Sequence, residues 1–301
     1  MKDHVPQNSV DSLTFKTKVG SSVCGYLYGD PDGEPMIYCH GWPGSGVQAA
    51  LADSAAQKHG FRIFSPDRPG IGGSSYVPDR QISDWPDLAI QAAETLGWKS
   101  FHLLAVSGGC PYVLAIAAAY PERVRSVTIC CGAALPEFVL DPKNSYPIYR
   151  GLEILHRRLP VALRAGLHLA RLYLKMIPAG FVFYPLYPFI DANERRAIHP
   201  RKNRLPMAQS VKGGFRQHPR GILHDATRFI EPWGFSLESI QIPVHFWHGT
   251  ADRNIPIEAA RKTAAKVPNS SFTEVSGESH YSLPLLYLDK IVGGISAEKS
   301  S

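Results

Sequence analysis

The run Phe101-His102-Leu103-Leu104-Ala105-Val106, followed at once by Ser107-Gly108-Gly109, constrains this chain more than any other segment. A continuous apolar run of strand length suits a strand buried on both faces, and such strands belong to parallel sheets covered by helices. The alanine-rich stretch after it, residues 110–120, reads as a helix with Pro111 in its first turn. Comparable strand runs stand at 23–28, 36–39, 61–65, 124–131, 244–247 and 271–275. Helical patterns fill 46–59, 83–96 and 257–266. Strand and helix in alternation imply an α/β fold with a mostly parallel central sheet, helices on both faces and right-handed crossovers.

That rhythm breaks between residues 135 and 235. The stretch is rich in Arg, Leu, Tyr, Phe and Pro, and its periodicity is helical. A helical cap inserted between two core strands is the simplest account. It divides the chain into core (1–134), cap or lid (135–235) and core again (236–301). Leu163, Leu167, Ala170, Leu174 and Ile177 form one apolar helical stripe. The aromatic stretch 181–187 either lines an apolar pocket or packs the core of the lid, and the sequence leaves both readings open. Residues 293–301 read as a disordered tail.

The net charge is +6 and unevenly spread. Residues 135–235 hold 16 Lys and Arg against 7 Asp and Glu, while the rest of the chain is slightly acidic. Arg164, His168, Arg171 and Lys175 share one helical face beside the apolar stripe. A solvated charged face is the default reading. Such a helix can also lie on an anionic membrane surface, or steer an acidic substrate. No nucleic-acid module is recognisable, so no nucleic-acid partner is expected.

Four loops carry chemistry, each just past a strand run. Ala105-Val106-Ser107-Gly108-Gly109 offers a tight strand-to-helix turn that lifts a serine hydroxyl clear of the sheet. The usual pattern is Gly-x-Ser-x-Gly, and Ala105 stands in place of the first glycine. His40-Gly41-Trp42-Pro43-Gly44 follows the strand at 36–39. A loop there supplies a backbone N–H to a developing oxyanion, and the residue after the nucleophile supplies another. Those donors are read as the amides of Trp42 and Gly108, with His40 and Gly41 as loop scaffold. His248-Gly249-Thr250-Ala251-Asp252 places a carboxylate, and Gly277-Glu278-Ser279-His280 an imidazole, at the same sheet edge. Ser107, Asp252 and His280 are the expected catalytic triad, in the chain order Ser, Asp, His.

On these motifs the chain resembles the α/β-hydrolase superfamily. It is most similar to bacterial soluble hydrolases carrying His-Gly-Trp-Pro-Gly-Ser, here residues 40–45, and Ser-Pro-Asp-Arg-Pro-Gly-x-Gly-x-Ser, here residues 65–74. The resemblance covers the core on both sides of the insertion. It implies a cap over the active site, formed by about residues 135–235, and says little about substrate; the favoured reading is a serine-dependent esterase acting on a small, partly apolar molecule through an acyl-enzyme. Relatives that open epoxides or remove halides use Asp where Ser107 stands, which disfavours those reactions. The same fold also hosts peptidases, thioesterases, lactonases, lyases and small-molecule receptors that turn over slowly or not at all.

No cofactor is required, and no metal-ligand spacing is evident. His245 and His248 stand at i and i+3 on a strand and so face opposite ways. The Gly-rich loop 66–74 lacks the Gly-Lys-Ser/Thr ending of a phosphate cradle and reads as structural. The five cysteines are odd in number and lie mostly in apolar runs, which fits a reduced, cytoplasmic setting. Adjacent Cys130 and Cys131 are expected to point to opposite faces of a strand.

Overall fold

Eight short strands, most of them apolar along their length, pair into one sheet in the order β1-β2-β4-β3-β5-β6-β7-β8. The computed structural model describes residues 11–18, 20–133, 151, 154–156 and 158–297. The strands are β1 (Ser12–Lys16), β2 (Ser22–Gly29), β3 (Glu34–Cys39), β4 (Phe61–Pro66), β5 (Phe101–Val106), β6 (Val124–Cys130), β7 (Val244–Gly249) and β8 (Ser270–Val275). β1 and β2 run antiparallel to their neighbours, and β3 to β8 are parallel.

Alternation along the central strands feeds two cores. Leu103 and Ala105 enter one cluster with α2 (Trp85–Thr95) and α3 (Cys110–Ala119). Leu104 and Val106 enter the other, with α1 (Asp53–His59) and the C-terminal helix. β5 is therefore buried at all six positions. Helices cover both faces because a strand apolar on both sides must be covered on both.

Between β6 and β7 the described chain is helical: α4 (Pro160–Met176), α5 (Ala192–Ile198), α6 (Arg201–Gly214) and α7 (Arg220–Phe229). The expected start of this insert, at residue 135, lies outside the described residues. Leu163, Leu167 and Leu174 of the predicted stripe are buried with Val182, Phe183, Ile198, Met207 and Ile222, and Ile71 of the core joins them. α8 (Ile257–Ala265) and α9 (Ser282–Ala297) complete the fold. Among the described residues, no helix is long and apolar enough to cross a membrane.

Two expectations need correction, and one open alternative is decided. Residues 293–297 are not a tail but the last turn of α9, where Ile295 is buried; residues 298–301 lie outside the described residues. Cys130 and Cys131 do not face opposite ways. The strand ends at Cys130, Cys131 takes a left-handed φ of 55°, and the two sulfurs lie 3.8 Å apart in one cluster. Of its two readings, the stretch 181–187 takes lid packing, and it does not line the main pocket. Val182 and Phe183 pack inside the insert, while Phe181 and Tyr184 are exposed.

A buried charge cluster ties the insert to the core. Asp225 on α7 is fully buried and accepts from Arg68 Nε at 2.7 Å and Tyr112 OH at 3.1 Å, and it pairs with Arg80. Burial opposes its charge, but the two guanidinium groups outweigh that and hold its carboxyl well below the usual range. Removing one partner of a buried pair leaves the other charge uncompensated. Asp225→Ala is expected to cost about 3–5 kcal/mol of stability. A thermal melt should fall on the order of 10 °C, and an unchanged melting temperature would disprove this role.

Candidate active site

The parallel strands deliver their C-terminal ends to one edge, where ligands of open α/β sheets sit. β5 stops at Val106, which is extended, and Ser107 turns sharply into a φ of 53°. The turn needs glycine two residues on, because a Cβ on Gly109 would lie 2.0 Å from the Cys39 carbonyl oxygen. Ala105 is fully buried opposite Cys39 and Ile129, so a methyl group is accommodated at that position.

The loop after β3 runs alongside. Gly41 N donates to Gln48 Oε1 at 2.7 Å, and the His40 ring donates from Nδ1 to Gly41 O at 2.9 Å. His40 is fully buried; burial and the Arg68 charge push its pKa well down, so its ring is neutral. Arg68 Nη1 in turn donates to His40 O at 2.5 Å, so the cluster that anchors the insert also holds this loop. Trp42 Nε1 donates to Ile222 O of α7 at 2.9 Å. A Cβ added to Gly108 would come within 3.1 Å of the Trp42 backbone nitrogen, so the two predicted amide donors are neighbours.

Asp252 follows β7 and His280 follows β8. His280 Nδ1 donates to Asp252 Oδ2 at 2.8 Å, and His280 Nε2 meets Ser107 Oγ at 2.8 Å. Asp252 Oδ1 accepts from the amides of Asn254 at 2.8 Å and Ile255 at 2.9 Å. Burial alone would raise the Asp252 pKa. The His280 ring, with hydrogen bonds from His248 and His280, outweighs burial and holds it well below the carboxylate range. Burial alone would lower the His280 pKa; the Asp252 carboxylate, aided by the charge of Glu194, holds it above the ordinary imidazole value.

Ser107, Gly108, Trp42 and His280 open into a cavity of about 170 Å³. Its other wall comes from the insert and is apolar: Leu163 and Leu167 of α4, Leu223 and Phe229 of α7, and Trp233 beyond. An apolar group fits such a wall better than a charged one does.

A family model described as the alpha/beta hydrolase fold matches residues 34–165, from β3 past the Ser107 turn and into α4. The chain has the α/β-hydrolase fold. An uncharacterised hydrolase of Bacillus subtilis is 30% identical over 125 residues, 42% of each chain. A bifunctional esterase/perhydrolase of Acinetobacter calcoaceticus is 27% identical over 88% of this chain and 91% of its own. A bromoperoxidase structure from Bacillus anthracis superposes with a TM-score of 0.67 at 21% identity, covering 96% of this chain and 100% of that one. The chain is a hydrolase of this fold.

The hydrolase site contains residues that the sequence motifs did not single out. His248 lies in the same motif as Asp252, four residues before it, and its Nε2 sits 3.3 Å from Asp252 Oδ2 and 2.8 Å from Ile255 O. Glu194 is a buried carboxylate from α5, brought in by the tertiary fold alone. The Gly-rich loop 66–74 closes on Asp67, whose carboxylate accepts from Gly46 N at 2.7 Å and Gly73 N at 2.8 Å. Burial pushes the Asp67 pKa up to about 6, and a loop built around a carboxylate is poorly suited to phosphate. Among the described residues, Cys131, Asp252 and His280 could bring ligand atoms within 4.8 Å of one another around a metal ion. Both ring nitrogens of His280 and both Asp252 oxygens already have partners in the Ser107 arrangement.

Proposed function

We propose that this hydrolase cleaves a carboxylic ester, or a related acyl bond, of a small and partly apolar molecule through an acyl-serine intermediate. One observation carries the reading: two 2.8 Å hydrogen bonds run from Asp252 through His280 to Ser107, which faces an apolar cavity. Ser107 Oγ attacks the acyl carbon while His280 Nε2 takes its proton. The carbonyl oxygen becomes an oxyanion facing the amides of Trp42 and Gly108. Collapse expels the alcohol, which receives the proton from His280. A water then gives its proton to His280, attacks the acyl-serine and releases the acid. Asp252 keeps the His280 proton on Nδ1 and steadies the imidazolium. The insert acts as a cap that supplies the acyl wall. The relative named as an esterase/perhydrolase supports acyl transfer at this site; hydrogen peroxide in place of water would carry the acyl group away as a peracid.

A fluorophosphonate probe tests the reading, because it reacts with an activated serine. Wild type should be labelled and Ser107→Ala should not. Absence of label on folded wild type would overturn the proposal.

The pH dependence has a definite sign. His280 must be neutral to take the proton, and its pKa is held above 6.5 in the free protein. The acid limb of kcat/KM should therefore lie above 6.5, with a slope of about tenfold per pH unit below it. A flat profile down to pH 5, with the protein still folded, would remove His280 from this role.

A further inference from the structure

The exposed apolar surface of this protein is gathered in one place. Of eleven large hydrophobic side chains that stand exposed among the described residues, ten lie between Ile154 and Phe189. Five are on α4: Val161, Leu169, Leu172, Tyr173 and Met176, with Val161 76%, Leu169 67% and Met176 84% exposed. At about 100° per residue these five span an arc of roughly 120°, opposite the buried Leu163, Leu167 and Leu174. α4 is thus apolar on two faces, and among the described residues the insert packs against only one of them. An outward apolar face this concentrated marks an interaction surface.

Charge says what would cover it. Residues 154–189 hold five Lys and Arg and no Asp or Glu. Arg164, His168, Arg171 and Lys175 form a stripe along one border of the outward arc. That border continues into a cavity of about 370 Å³ lined by Arg164, His168 and Arg220, room for an anionic headgroup. A second copy of the chain fits less well, because a two-fold contact on this face would set like charges together. An apolar arc with a basic border is how an interfacial helix lies on an anionic bilayer.

We propose that α4 and the aromatic turn after it dock on an anionic lipid surface, with the apolar arc at the headgroup boundary and the Arg164 and Lys175 side chains against lipid phosphates. The inner face of the same helix lines the Ser107 cavity. Docking would place that apolar wall about one helix diameter, ~10 Å, from the bilayer. Docking does not depend on turnover, so it stands or falls separately from the acyl-transfer reading.

Sedimentation of the full chain with vesicles tests it. Wild type should pellet with mixed phosphatidylglycerol and phosphatidylcholine vesicles at low salt, not with phosphatidylcholine alone, and rising salt should release it. Leu169→Glu with Met176→Glu should weaken binding by roughly tenfold or more, and so should Arg164→Glu with Lys175→Glu. None of these side chains lines the Ser107 cavity, so both variants should keep turnover of a short soluble ester. Failure of wild type to pellet with anionic vesicles at low salt would overturn the proposal. So would a wild-type dimer in analytical ultracentrifugation that Leu169→Glu with Met176→Glu dissolves without any vesicle binding, which would assign the face to a second copy.

Discussion

Ser107→Ala should lower kcat for a short ester by about 10⁶ and leave KM nearly unchanged. The effect is this large because the hydroxyl is the attacking atom, and its loss also idles His280. The loss would be chemical, not structural. The positive φ of 53° is no harder for alanine than for serine, and the hydroxyl's hydrogen bond to His280 is at the mouth of a cavity, not in the core. The cavity, the Trp42 and Gly108 amides and the Asp252–His280 pair would all remain. About 10³-fold catalysis over water should therefore persist, from oxyanion stabilisation and binding alone. Turnover should be measured with a short chromogenic ester beside a thermal melt. A fall of less than about 10²-fold, with the melt unchanged, would show that another group attacks.

The core, and the meeting of Ser107, Asp252 and His280 at one sheet edge, were legible in the sequence because each site loop follows a strand run of the right length. Phe101–Val106 announces a strand buried on both faces, and Ser107-Gly108-Gly109 can follow it only as a tight turn. Two flanking elements were not legible. β1 is five residues at the sheet's edge with alternating exposure, and the alternation of its two apolar residues, Leu13 and Phe15, is too short to stand out as a strand. α9 contains Pro284, Gly293 and Gly294, which read as breakers. In the fold, Gly293 allows a close approach to α1: a Cβ there would lie 2.9 Å from the His59 ring. Burial of Leu288, Ile291, Val292 and Ile295 overrides the poor local propensity.

The Arg68–Asp225–Arg80 cluster was hidden for a different reason. Its members are 145 and 157 residues apart in sequence, and nothing local marks a charge as buried. The two readings of the aromatic stretch 181–187 stayed open for the reverse reason. Composition announces apolar side chains, but only packing decides that Val182 and Phe183 turn into the insert while the cavity wall comes from α4, α7 and Trp233.

Asp252→Asn should lower kcat by about 10⁴ with the fold intact. The geometry around the carboxylate gives the reason. Oδ1 accepts from two backbone amides, at 2.8 and 2.9 Å, which an asparagine NH₂ cannot do. An asparagine must therefore keep its oxygen on those amides and turn its NH₂ toward His280 Nδ1. That nitrogen then has to accept, which moves the ring proton to Nε2, the atom that must take the Ser107 proton. Catalysis would wait on a minority tautomer and lose the stabilised imidazolium as well. The substitution also removes the charge that holds the His280 pKa up, so the acid limb of kcat/KM should move to lower pH. His248 Nε2 lies 3.3 Å from the same carboxylate oxygen and donates to Ile255 O, so it has a second partner to retain. A merely structural role for Asp252 would lower stability without shifting that limb. Near-wild-type turnover, or a lower kcat with the pH profile unmoved, would separate Asp252 from the chemistry and leave His280 without its orienting carboxylate.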